Sequence, residues 1–104
     1  MAKVIESKDK LILKLNFWEQ IGSLHKSISV EKSNLLEKKV VINPWSKDVL
    51  RGVRAPGTGI PFVILLGTMR FRGGKDFTAI YKRSPVEIYD FKNESFNRWI
   101  VSTE

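Results

Sequence analysis

The stretch Arg51-Gly52-Val53-Arg54-Ala55-Pro56-Gly57-Thr58-Gly59-Ile60-Pro61 concentrates glycine, proline and arginine as no other part of the chain does. Proline fixes φ, and glycine reaches backbone conformations that other residues avoid, so this composition predicts a loop with a defined path. An apolar segment, Phe62 to Leu66, follows it, and a second glycine- and arginine-rich cluster occupies residues 67–76. We therefore expect a fixed loop between two β regions and look for function there.

Alternating apolar residues on both sides of this loop predict short strands. Leu11, Leu13, Leu15 and Phe17 define one apolar face of a strand over residues 11–18. A second strand over 27–30 is expected to run antiparallel to it, because the connection is short. Further alternation, separated by turns that include Gly73-Gly74, marks residues 69–71, 77–81, 86–91 and 97–103.

Two short segments read as single helical turns. Residues 32–37 offer Ser33 or Asn34 as a cap, and residues 45–50 offer Ser46. Together with the strands, they predict an all-β fold, or a β-dominated one with one short helix. We expect about seven antiparallel strands in a bent sheet or partly open barrel.

The composition narrows the class of protein. The chain has 104 residues, enough for one hydrophobic core, so we predict one domain over residues 1–104. The absence of cysteine excludes disulfides and thiolate metal sites, and His25 is the one histidine, so we expect neither a metal nor a cofactor. No apolar run approaches the roughly 20 residues of a membrane span. These observations favour a cytoplasmic protein.

The net charge of +7 is concentrated in the centre of the chain. Residues 51–83 contain five arginines, two lysines and one aspartate, which gives +6. Arginine suits bidentate pairing with carboxylate or phosphate, so we predict a site for an anionic group. Its expected members are Arg51, Arg54, Arg70, Arg72 and Lys75, with backbone donors from Gly57, Thr58 and Gly59. Arg70 and Arg72 are expected to project from one face of a strand.

This composition points to a non-catalytic binding module for an anionic small molecule or a protein partner. One alternative is single-stranded nucleic-acid binding through Arg70-Phe71-Arg72 with Phe77 and Tyr81. Another is an enzyme at the same loop, with Asp76 or His25 as acid or base. In a purely structural alternative, Arg54 or Arg70 pairs with Asp76 or Asp48. The Gly57-Thr58-Gly59 segment lacks the ending of a phosphate-binding P-loop.

The central stretch, followed by Leu66-Gly67-Thr68 and Gly73-Gly74-Lys75-Asp76-Phe77, resembles a family of small uncharacterised bacterial proteins. The resemblance covers about residues 40–103 and implies no catalytic residues. The order of strands is also similar to bacterial pleckstrin-homology-like domains. That similarity implies a bent antiparallel sheet closed by a C-terminal helix. The sequence ends soon after its last predicted strand, so three alternatives stay open: the closing helix is absent, the fold is a variant, or a partner chain covers the open end. An uncovered barrel end or sheet edge would favour a homodimer.

Overall fold

The computed structural model of the chain describes residues 2–23, 26–45, 50, 53–60 and 63–102. Over these residues the fold is β-dominated with one short α-helix, as the sequence predicts. Among them are nine strands, one α-helix and one turn of 3-10 helix. In chain order they are β1 (Lys3–Glu6), β2 (Lys10–Lys14), α1 (Phe17–Ser23), β3 (Ile28–Glu31), the 3-10 turn (Lys32–Asn34), β4 (Leu35–Val41), β5 (Val53–Ile60), β6 (Ile64–Phe71), β7 (Gly74–Tyr81), β8 (Val86–Phe91) and β9 (Arg98–Ser102).

The strands form two sheets that do not close into a barrel. The smaller sheet has the order β1-β2-β3, and the larger has the order β4-β8-β9-β7-β6-β5. All pairs are antiparallel except β7 with β9, which run parallel because β9 enters between β7 and β8. The expectation of purely antiparallel pairing is therefore wrong at this one pair.

The main core fills the space between the two sheets. Apolar residues of β2 and the residue that follows it, Leu11, Leu13 and Leu15, pack against one face of the larger sheet. Phe77 and Trp99 are fully buried there. The predicted alternation of β2 up to Leu15 and of β7 and β9 accounts for this arrangement. A second, smaller cluster covers the other face of the larger sheet and includes Leu65, Ile80, Val86, Ile88 and Ile100.

The molecule has two ends along the strand direction. One end, which we call the turn end, carries the turns near residues 8, 73 and 94, and hydrogen bonds join these turns to neighbouring segments. Asn97 N–H donates to the Lys75 carbonyl at 2.8 Å, and Lys32 N–H donates to the Asp9 carbonyl at 3.0 Å. The helical end carries α1 and the end of β7.

The predicted central loop is wrong, because residues 53–60 form strand β5 at the edge of the larger sheet. The register of β5 against β6 shifts between Arg54 and Gly57, and Pro56 falls within that shift. A residue without an N–H is tolerated in a sheet at edges and bulges, so an edge strand accommodates this sequence. Arg51, Gly52 and Pro61 lie outside the described residues.

Two further local expectations differ from the structure. Phe17 was expected on the buried face of a strand, but β2 ends at Lys14 and Phe17 begins α1. The expected helical turn over 32–37 is a 3-10 turn that ends at Asn34 and has no side-chain cap. The short helix predicted from Ser46 lies largely outside the described residues.

Candidate functional site

The arginine site predicted from the sequence does not form around a loop. Gly57, Thr58 and Gly59 pair with Gly67, Leu66 and Leu65 in the ladder between β5 and β6. Arg70 lies three residues beyond Gly67, about 10 Å along β6. The expected backbone donors thus lie away from Arg70 along the same strand pair.

Only part of the predicted cation group is brought together at the turn end. Arg70 and Lys75 are directly opposite each other on β6 and β7, and Arg72 lies in the turn between these strands. Arg72 therefore does not share a strand face with Arg70, as the sequence analysis expected. The Lys75 ammonium lies 4.8 Å from the centre of the Phe96 ring.

The remaining predicted members lie only partly within the described residues. The backbone of Arg54 pairs with that of Met69, the residue before Arg70 on β6. Arg51, His25 and Asp48 lie outside the described residues. Asp76 is fully buried and pairs in register with Arg98.

Helix α1, which the sequence pattern did not predict, buries its polar face and exposes its apolar face. Its buried residues are Glu19 and Ser23, which are 1% and 0% exposed. Its apolar residues face outward: Trp18 is 74% exposed, Phe17 66% and Ile21 50%. A surface helix normally buries its apolar face and exposes its polar one. α1 therefore presents an apolar surface to whatever lies outside the fold.

Hydrogen bonds hold α1 in this inverted orientation. Asn16 Oδ1 accepts from the Glu19 N–H at 2.8 Å, and Glu19 Oε1 accepts from the Asn16 N–H at 2.9 Å. This reciprocal pair is a capping box at the start of the helix. The Tyr81 hydroxyl, at the end of β7, donates to the other oxygen, Glu19 Oε2. The carboxylate thus ties the helix to the larger sheet.

Two aliphatic residues extend the apolar surface of α1. Ile60 and Val63, at the connection between β5 and β6, are 53% and 50% exposed. α1 contacts both of these strands, so all of these residues lie at the helical end. We call Phe17, Trp18, Ile21, Ile60 and Val63 the α1 tip.

Lysines flank the α1 tip. The backbone N–H of Lys82 donates to the Val63 carbonyl at 2.7 Å, which places this exposed residue beside the tip. Lys14 ends β2 just before α1, and Lys3 is its partner on β1. The helical end is therefore apolar at its centre and cationic at its margin.

The described acidic residues lie mostly at the turn end or away from the tip. Glu6 and Glu31 pair with Lys32 and Lys10 in the smaller sheet. Asp90 pairs with Arg98 on neighbouring strands β8 and β9, and Glu87 pairs with Lys38 at 3.0 Å. Glu19, the carboxylate of α1 itself, is buried and hydrogen-bonded. Among the described residues, no carboxylate therefore forms an ion pair with the lysines that flank the tip.

The fold raises the pKa of both tyrosines of the chain. Burial raises the pKa of Tyr81 above its usual range, and its hydrogen bond to the Glu19 carboxylate raises it further. Burial and the hydrogen bond to Glu87 raise the pKa of Tyr89 in the same direction. In each case the folded state favours the protonated phenol.

We predict a loss of stability at alkaline pH that depends on these two residues. A pKa raised by folding contributes stability that is fully present below the ordinary tyrosine pKa of about 10. That contribution is lost as the pH rises above 10 toward the folded-state value. Denaturant unfolding between pH 8 and pH 11 should show the decline, and phenolate absorbance should appear only together with unfolding. A Tyr81→Phe, Tyr89→Phe variant that declines identically above pH 10 would contradict the assignment.

Over the described residues, no helix is long and apolar enough to span a membrane, and no group of three or more potential metal ligands occurs. Comparisons with models of protein families, with curated proteins and with solved structures gave no match. The resemblances to the uncharacterised bacterial family and to pleckstrin-homology-like domains therefore stay predictions, as does the homodimer.

Proposed function

We propose that this chain is a non-catalytic binding module that docks through the α1 tip on an anionic lipid surface. The observation that carries the proposal is the inverted polarity of α1, which buries Glu19 and exposes Phe17, Trp18 and Ile21. Exposing these side chains to water is unfavourable at about 25 cal/mol per Å² of apolar area. Contact with the apolar layer of a membrane would recover that free energy without any spanning segment.

The flanking charges support an anionic surface over a neutral one. Lys3 and Lys14 lie just before α1 and Lys82 lies beside Val63. Each lysine near an anionic membrane contributes about 1 kcal/mol of attraction. Trp18 also has an indole N–H that stays hydrated at the interface while its rings enter the apolar layer. A cytoplasmic location, which the sequence favours, would bring the tip to the anionic leaflet.

Lipid fits the tip better than single-stranded nucleic acid does. Base stacking uses aromatic faces, and two of the five tip residues, Phe17 and Trp18, are aromatic. The aliphatic side chains of Ile21, Ile60 and Val63 add no stacking surface, but they do add area that a hydrocarbon layer can bury. An acidic protein groove is the competing occupant, and the experiment separates it.

We predict that Trp18→Glu lowers binding to vesicles of phosphatidylcholine and phosphatidylglycerol at least about ten-fold, because a large apolar side chain is replaced by a carboxylate. Co-sedimentation with these vesicles measures the effect. Leu36→Glu is the matched control: it adds the same charge at an apolar residue that is 62% exposed but lies on β4 toward the turn end. It should retain binding close to that of the unchanged chain.

Fluorescence gives a second readout of the same event. On binding, emission from Trp18 should shift to the blue, and Trp18→Phe should still bind but lose most of the shift. Equal binding to pure phosphatidylcholine would contradict the electrostatic part. No binding to either vesicle would contradict the proposal and favour an acidic protein as the occupant.

A further inference from the structure

A half-open cavity of about 210 Å³ lies beside the α1 tip, lined by Lys3, Lys14, Leu15 and Asn16. That volume is ample for a tetrahedral phosphate group. It joins the end of the smaller sheet to the start of α1. Its position at the margin of the tip is where a lipid headgroup would sit if the tip entered a bilayer.

The two lysines of this cavity are direct cross-strand partners. Lys3 pairs in register with Lys14, so both side chains project from the same face of the smaller sheet. Like charges directly opposite each other on neighbouring strands are destabilising. An anion between them would convert the repulsion into two charge-assisted contacts.

No described carboxylate supplies that anion. The acidic residues of the smaller sheet are engaged elsewhere: Glu6 with Lys32 at 3.6 Å and Glu31 with Lys10 at 3.9 Å. Neither Lys3 nor Lys14 forms an ion pair with a described residue. The cavity therefore combines two cations with space for a ligand.

Asn16 adds a neutral donor to the same cavity. Its side-chain oxygen accepts the Glu19 N–H in the capping box, which fixes the amide and leaves its NH₂ group as the remaining donor. A fixed amide and two flexible ammonium groups match a group with several acceptor oxygens and a charge approaching −2. A phosphate monoester has both properties, whereas a diester carries only one negative charge.

We propose that the cavity lined by Lys3, Lys14 and Asn16 is a binding site for a phosphate monoester. Its two sources are a lipid headgroup with a terminal phosphate and a soluble phosphate ester. For the lipid source the inference rests on the proposed docking of the tip. For the soluble source it stands independently, because binding needs only the cavity.

Nuclear magnetic resonance in solution tests the site without a membrane. Titration with glycerol 3-phosphate should give saturable amide shifts at residues 3 and 14–16. The Lys3→Gln, Lys14→Gln variant should bind about 30-fold more weakly, since each lost lysine contact weakens binding several-fold. The control Lys8→Gln, Lys92→Gln removes two exposed lysines at the turn end and the same net charge, and it should change binding less than about three-fold.

Vesicles test the lipid source. Phosphatidic acid and phosphatidylglycerol, each in phosphatidylcholine at matched surface potential, differ mainly in the terminal phosphate. The unchanged chain should prefer phosphatidic acid, and the Lys3→Gln, Lys14→Gln variant should lose that preference. The Trp18→Glu variant should lose vesicle binding but keep the amide shifts with glycerol 3-phosphate. Shifts centred on Arg70 and Lys75, or equal losses in both double variants, would overturn the site. Saturable shifts without a preference for phosphatidic acid would assign it to soluble esters.

Discussion

Gly57→Ala is expected to destabilise the fold by about 3 kcal/mol or more, from overpacking plus backbone strain. A methyl group added at Gly57 would overlap the carbonyl oxygen of Leu66 and would lie 2.8 Å from the Gly67 Cα. Both neighbours are backbone atoms of the paired strand, so neither moves aside without disturbing the ladder. The backbone of Gly57 also has φ of +150°, a conformation that residues with a side chain rarely adopt.

Gly73→Ala is the matched control for this prediction. Gly73 also has positive φ, +99°, but a methyl group there would meet nothing within 4 Å. Gly73→Ala should therefore destabilise the fold through backbone strain alone, by about 1–2 kcal/mol. Denaturant unfolding of both variants measures the difference. Equal costs would mean that β5 and β6 do not approach each other as closely at Gly57 as the structure shows.

Pro56 and Gly57 explain why the central stretch was misread as a loop. Glycine and proline normally indicate a break in secondary structure, because they weaken helices and interior strands. Here Pro56 lies at a bulge of an edge strand, and Gly57 permits close contact with the neighbouring strand. Both uses depend on which strand lies alongside, and local composition carries no information about that.

The strands with a regular alternation were predictable because burial on one face leaves a period of two. Trp99 and Val101 face the main core and Ile100 faces the other cluster, as the pattern from Asn97 onward predicts. The α1 tip was not predictable by that rule. The alternation of Leu11, Leu13 and Leu15 continues through Phe17. The start of a helix that exposes its apolar residues therefore looks like a continuation of the strand.

A local signal for α1 was nevertheless present in the sequence. Asn16 followed three residues later by Glu19 has the spacing of a capping box, which marks the start of a helix. Apolar periodicity outweighed it because buried apolar residues are the more common cause of such a pattern. The conflict between a helix-start signal and a strand-like apolar pattern is itself informative: it marks the segment whose apolar residues serve something other than the core.

Glu19→Ala is expected to remove about 2–4 kcal/mol of stability, the sum of a lost helix cap and a hydroxyl left without its partner. The change deletes the acceptor for the Asn16 N–H and the acceptor for the Tyr81 hydroxyl together. The lost contacts are those that orient α1, so the helix should detach from β7 more readily than the sheets unfold. Hydrogen exchange of the α1 amides should increase more than that of β7 and β9.

Glu19→Gln provides the control, because its amide oxygen can replace one of the two accepted hydrogen bonds. It should lose about 1 kcal/mol, the usual net value of one hydrogen bond. Equal losses for the alanine and glutamine variants would show that the carboxylate does not tie α1 to the sheet.

Vesicle binding by these two variants shows whether the orientation of α1 matters for docking of the tip. All five residues of the α1 tip remain in Glu19→Ala, so an exposed apolar patch that binds by composition alone would retain vesicle binding. If the orientation of α1 matters, binding should fall several-fold in Glu19→Ala and persist in Glu19→Gln. Loss of binding in Glu19→Ala alone would show that the buried carboxylate, by holding Phe17 and Trp18 outward, contributes to the function of the tip.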